Sequence, residues 1–208
     1  MHENSEQTML LSAMTTEHFV LQTACNSTIS EAASRSTLYV MALSSSLVAV
    51  GFLSRSPDLL MPFVLAVFPT VFLLGVFTVI RLVDTALENM KYLTGIARIR
   101  AYYRSLCPMA AHHFTVEQGR WPEAASPALR LGSLSASLGT AASMIAVINC
   151  VVGAAVVAFV VQVVAPTLPN WYAVTVGIGC ALILTLGFLR YQRWRFAAFD
   201  TATTGKSV

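Results

Sequence analysis

Three sets of residues have the types and spacing that invite chemistry. His112 and His113 are adjacent and suggest metal ligation. Neighbouring helix positions point about 100° apart and strand neighbours point oppositely, so an adjacent pair chelates poorly beside the i, i+4 spacing of a His-Glu-x-x-His helix. They read as surface histidines. Asp84 and Glu88 stand one helical turn apart and could share a cation, but Arg81 and Lys91 flank them, which makes a solvated salt-bridge face. Cys25, Cys107, Cys150 and Cys180 show no Cys-x-x-Cys spacing, so neither a zinc nor a redox site is expected. The chain has no phosphate-binding Gly-rich loop, no Gly-x-Ser-x-Gly elbow and no dinucleotide fingerprint. An enzyme is therefore the least expected class, and no catalytic residue, cofactor or metal is assigned.

The remaining polar side chains of interest lie inside apolar sequence. Asn149 is the most polar of them, with Gln162 further along the same run and Ser44, Ser45 and Ser46 midway along an earlier one. A buried amide in lipid needs a hydrogen-bonding partner, supplied by a neighbouring helix or by water in a pore. Helix-to-helix bonding is the commoner solution. Pro69 is expected to kink its helix, because it lacks the backbone donor and crowds the preceding turn.

The elements that must position these residues are four apolar runs, Thr37 to Leu53, Leu59 to Ile80, Ala141 to Ala165 and Trp171 to Leu189. Each has about the ~20 residues that a helix needs to cross a hydrocarbon core. Mean hydropathy is +0.67. Charged residues make up only 11% of the chain, against roughly 25% in soluble domains. The expected fold is all-α, an integral membrane four-helix bundle with cytoplasmic helical extensions. No Asp, Glu, Lys, Arg or His lies in any run, which weighs against a proton pump, a voltage sensor or a charge-coupled carrier.

Orientation follows from the basic residues, which concentrate in cytoplasmic loops. Lys91, Arg98, Arg100, Arg104, Arg120 and Arg130 lie between the second and third runs, and Arg190, Arg193, Arg195 and Lys206 follow the fourth. The short connections Ser54 to Asp58 and Pro166 to Asn170 contain only Arg55. The expected topology is a multi-pass protein of the inner (plasma) membrane with both termini cytoplasmic. It divides the chain into an N-terminal segment and helix (1–35), a first hairpin (36–81), a cytoplasmic amphipathic helix and loop (82–130), a second hairpin (131–189) and a basic tail (190–208). None of the cysteines then faces the oxidising side, so no disulfide is expected. Met1 to Thr16 lacks the basic cluster, apolar core and cleavage site of a removed secretory signal. The net charge of +3 is explained by topology and anionic lipid, and no nucleic-acid partner is expected.

Outside the runs, Thr15-Thr16-Glu17 offers a helix start, and no Pro or Gly follows before Tyr39. Beyond the second run, Val83, Leu87, Met90, Leu93 and Ile96 recur at helical spacing while Asp84, Glu88 and Lys91 take another face. This amphipathic extension needs a partner, and the helix ahead of the first run is the nearest candidate. Pro108 is expected to end it. Arg98, Arg100 and Arg104, with Arg193 and Arg195, are candidate contacts for lipid headgroups or a protein partner. In the third segment, read from Gly132 to Ala165, Ala142, Ala146, Cys150, Ala154 and Ala158 form a ridge of small side chains with Ser135, Gly139 and Ser143 beside it. Such ridges are how membrane helices associate. Ser45, Pro69, Gly139, Ser143, Asn149 and Gly153 are the candidate pore or helix-packing residues.

In layout, residues 15–106, a helix, a two-span hairpin and a second amphipathic helix, resemble the small membrane effector modules of bacterial nucleotide-signalling defence systems. Arg81-Leu82-Val83-Asp84 and Ile96-Ala97-Arg98-Ile99-Arg100-Ala101-Tyr102-Tyr103 are also similar to uncharacterised four-span proteins of high-GC bacteria. The small-residue ridges, Asn149, the serine cluster and the lack of catalytic chemistry make the leading expectation a homo-oligomeric pore or channel-like effector, with the third helix on its axis and the cytoplasmic helices as gate or sensor. The rival expectation is a non-catalytic scaffold or accessory subunit that recruits a cytoplasmic partner, and the third is a small-molecule carrier. The expected partners are membrane lipids, further copies of the chain, or another membrane or cytoplasmic protein.

Overall fold

The computed structural model describes residues 2–106, 109 and 140–204. Four α-helices and no strand lie among them: α1 (His2–Leu53), α2 (Pro57–Leu106), α3 (Ala141–Val164) and α4 (Asn170–Thr204). All four contain a stretch long and apolar enough to cross a membrane.

α1 begins well before the expected start. Thr15 and Thr16 sit inside the helix, where their hydroxyls donate to the carbonyls of Leu11 and Ser12 at 2.9 and 3.1 Å. A threonine that bonds back to the preceding turn has no need to act as a cap, so the capping signature misleads here. The turn into α2 is short. Ser54 N–H donates to Val50 O and Ser56 N–H to Leu53 O, and the Ser56 carbonyl then accepts from Leu59 and Leu60. Pro57 occupies the first helical position, where a missing N–H costs nothing, and Asp58 faces the positive end of the helix dipole. α2 continues through Pro62, Pro69 and Gly95 to Leu106. Gly95 is therefore not a breaker.

α3 is shorter than the segment read from Gly132. Thr140 caps it, its Oγ1 accepting from Ser143 N–H at 3.2 Å. At the other end Ala165 N–H donates to Val161 O, and Leu168 N–H donates to Ala165 O through the Pro-rich turn. α4 runs without interruption into the segment read as a basic tail. Cys107, Pro108, His112, His113, Arg120, Arg130, Ser135, Gly139 and Lys206 lie outside the described residues.

The chain forms two compact units, and α1 and α2 contribute to both. Unit 1 comprises Met1–Ala32 and Asp84–Ser137; unit 2 comprises Ala33–Val83 and Leu138–Val208. In unit 1 the α1 residues turned inward are Leu11, Met14, His18, Leu21, Cys25, Thr28 and Ala32, spaced alternately by three and four. On α2, Thr85, Asn89, Tyr92, Ile96, Ile99 and Tyr103 repeat in the same way. Thr15 meets Tyr103, Leu21 covers Gly95 and Thr28 meets Asn89, so the helices run antiparallel in one fixed register. The alternate three-and-four spacing on both helices is that of a heptad seam.

In unit 2, α3 and α4 pack on one another. Gly177 makes the approach close: a side chain there would meet Ala154 O at 3.0 Å and Ala158 Cβ at 3.1 Å. Ala142, Ala146 and Cys150 of the small-residue ridge are buried, which is how such ridges are used between membrane helices. Large apolar side chains including Leu38, Phe52, Leu73, Phe77 and Ile183 remain on the outside.

Candidate functional site

Asn149 is the polar centre of unit 2. It is buried, and its Oδ1 accepts a hydrogen bond from Tyr39 Oη at 3.1 Å. Tyr39 is fully enclosed. The glycine at position 75 makes room for both, because a Cβ there would collide with the Asn149 amide and reach the Tyr39 ring. Three helices thus meet at one amide, and the Asn149 side chain faces its neighbours in the bundle. Gly153 has a similar role a turn further along α3, where Phe72 and Leu184 close over it at 2.6 and 3.0 Å from a notional Cβ.

A second polar contact ties the start of α3 to α4. Ser143, almost wholly enclosed, donates to Gln192 Oε1 at 3.4 Å, and Gln192 is buried too. Thr140 and Ser143 hydroxyls lie 2.9 Å apart. Gln162 is exposed and donates to Asn170 Oδ1 at 2.7 Å across the α3–α4 turn. Ser45 is exposed and donates to Met41 O, while Ser46 is buried and donates to Ala42 O. Hydroxyls bonded to the preceding turn let a helix carry serine through an apolar medium at little cost. Pro69 is half-buried within α2.

Aromatic pairs stand at both ends of the apolar part of α4. Trp171 and Tyr172 make an edge-to-face pair with centroids 6.2 Å apart, and Tyr191 and Trp194 a tilted pair at 6.5 Å. Amphipathic rings at the two ends of an apolar helix suit the two interfaces of a bilayer.

In unit 1 the seam is partly polar. Thr28 donates to Cys25 O at 2.7 Å and reaches Asn89 Oδ1 at 3.3 Å. Burial pushes the Cys25 thiol up from its ordinary value. His18 Nδ1 is shut away from solvent without a hydrogen-bond partner. Arg98 is exposed; Arg100 and Arg104 are half-buried and each makes a polar or electrostatic interaction, as do Arg81, Asp84 and Glu88. In unit 2 Arg193 is exposed and Arg195 half-buried. Among the described residues no three His, Cys, Asp or Glu side chains converge as metal ligands.

Of the residues singled out from sequence, Asn149, Ser143 and Gly153 lie at helix contacts in unit 2, whereas their neighbours Tyr39 and Gln192 gave no signal as partners. Both sit at the edge of an apolar run, where a polar-tipped side chain looks interfacial. The face of α1 turned away from α2 was equally hidden. There Thr16, Phe19, Val20, Thr23, Ala24 and Ser27 line an open groove of about 510 Å³. Their mutual spacing is the available signal, obscured by the preponderance of serine and threonine. No protein-family model, curated protein or solved structure matches this chain.

Proposed function

We propose that the protein is a multi-pass membrane scaffold: the apolar parts of the four helices anchor it in lipid, and the α1–α2 helix pair of unit 1 is the surface that meets other proteins. The observation that carries this reading is the engagement of the interior polar groups of unit 2 with one another. Asn149 is held by Tyr39, and Ser143 by Gln192. A group already paired inside the bundle is not available to water or to a passing ion, and exposing it would cost that hydrogen bond. Large apolar side chains such as Leu73, Phe77 and Ile183 remain exposed outside the bundle, as acyl chains require. The channel-like alternative, with α3 on an oligomer axis, requires Asn149 to leave Tyr39.

Arg100 and Arg104 stand one turn apart on α2, and with exposed Arg98 on another side of the helix they give unit 1 basic residues suited to an acidic protein surface or to headgroups. Purification of the tagged chain from its native membrane tests the scaffold. A stoichiometric partner that is lost when Arg98, Arg100 and Arg104 are replaced by Gln is the expected result. Ion flux through liposomes holding the pure protein, with no partner recovered, supports the channel instead.

A further inference from the structure

Arg55 departs from the charge sorting of the rest of the chain. Basic residues gather on the cytoplasmic side of a membrane protein, yet Arg55 stands in the Ser54 to Asp58 connection and is the one basic residue in either short connection. It is exposed, and among the described residues it makes neither a hydrogen bond nor an ion pair, not even with Asp58 three residues on. Beside it the end of α1 is hollowed. Val48, Gly51 and Phe52 share one face of the last turns of the helix, and with Arg55 they line an open groove of about 510 Å³. Gly51 makes the hollow, since a Cβ there meets nothing within 4 Å. Phe52, 79% exposed, is the most exposed large apolar side chain among the described residues.

We infer that this groove holds a zwitterionic glycerophospholipid, its phosphate on the Arg55 guanidinium and an acyl chain laid along Val48 and Phe52 across Gly51. The order of chemistry along the groove selects the occupant. A permanent cation with its donors free stands at the turn, and three residues without a polar side-chain atom lead from it into the apolar run. A phospholipid has the same order of parts, an anion and then a hydrocarbon chain. The guanidinium presents paired donors that match phosphate oxygens, and its stem lies on apolar surface while the charge stays at the interface. A free phosphate leaves the apolar floor uncovered, and a hydrocarbon alone leaves the cation unmatched. Asp58 decides the headgroup. Its charge cancels that of Arg55 across the turn, so the turn gives no net attraction for the surplus negative charge of an anionic lipid. The inference rests on the membrane reading of the protein and is independent of its role as a scaffold.

Photolabelling of the full chain in detergent micelles tests the site, with an equimolar phosphatidylethanolamine that carries a diazirine in its acyl chain and adducts mapped by peptide mass spectrometry. Adducts at Val48 or Phe52 are expected several-fold above those at Leu73, Phe77 and Ile183, which are exposed too. Arg55→Gln and Gly51→Leu are each expected to lower labelling at Val48 and Phe52 several-fold while circular dichroism stays helical, the leucine entering open space. Arg98→Gln is expected to leave it unchanged. Unlabelled phosphatidylethanolamine is expected to displace the probe. Labelling spread evenly over Phe52, Leu73, Phe77 and Ile183, labelling that survives Arg55→Gln, displacement by inorganic phosphate, or stronger displacement by phosphatidylglycerol than by phosphatidylethanolamine overturns the inference. Recovery of the chain in the soluble fraction without detergent overturns the membrane reading, and the site falls with it.

Discussion

At the scale of single residues, the structure turns on whether a side chain has space. Gly75 has none to spare, since a methyl group there meets the Asn149 amide and the Tyr39 ring. Overpacking of a close-packed interior costs typically about 1–3 kcal/mol. Gly75→Ala is therefore expected to lower the melting temperature in detergent by several degrees, whereas Gly51→Ala, which meets nothing in the last turn of α1, is expected to leave it unchanged or raise it slightly. Tyr39→Phe removes the donor to Asn149 and is expected to cost about 0.6 kcal/mol, the average worth of a hydrogen bond between helices in a membrane, and at most about 1.7 kcal/mol; the same thermal melts check it. Cys25 gives a pH dependence. Burial raises its thiol value in the folded chain above the ordinary 9.0. The unfolded chain therefore loses the proton first, so the stabilisation is fully present below about that pH and disappears as pH rises through the folded value. Maleimide labelling of Cys25 at neutral pH is expected to be much slower than that of a cysteine placed at Gln22, and a comparable rate contradicts its burial.

At the scale of helices, contrast between two glycines sorts rigid contacts from yielding ones. At Gly95 the nearest obstacle is Leu21 Cδ1, 2.9 Å from a notional Cβ, the tip of a flexible, half-buried side chain at the seam. Gly95→Ala is thus expected to change stability by less than Gly75→Ala, because Leu21 can turn aside and alanine favours the helix by about 1 kcal/mol. The apolar length of the four helices was legible in sequence because lipid-compatible runs have few alternatives. The pairing of α1 with α2 was legible as well, but the face of α2 that makes it was misread, since of Val83, Leu87, Met90, Leu93 and Ile96 only Ile96 lies on the observed seam. The start of α1 was not: Thr15-Thr16-Glu17 has the form of a cap, and only the back-bonding of both hydroxyls to Leu11 and Ser12 carbonyls shows that it is helix interior. Partners such as Tyr39 and Asn149 lie far apart in sequence, and helical periodicity carries no information about which distant residue fills the space across from an amide.

At the scale of the molecule, one long helix is proposed to change solvent along its length. α2 passes from exposed Leu73 and Phe77 to exposed Lys91 and Arg98 with Arg81 between, and the proposal puts the first pair in acyl chains and the second in water. Spin labels at Leu73, Phe77, Lys91 and Arg98 in liposomes measure this directly, by power saturation with oxygen, which concentrates in lipid, and with a water-soluble nickel chelate. The expected result is oxygen access dominating at Leu73 and Phe77 and chelate access dominating at Lys91 and Arg98, with the crossover near Arg81. Chelate access at Phe77 equal to that at Arg98 contradicts the membrane placement.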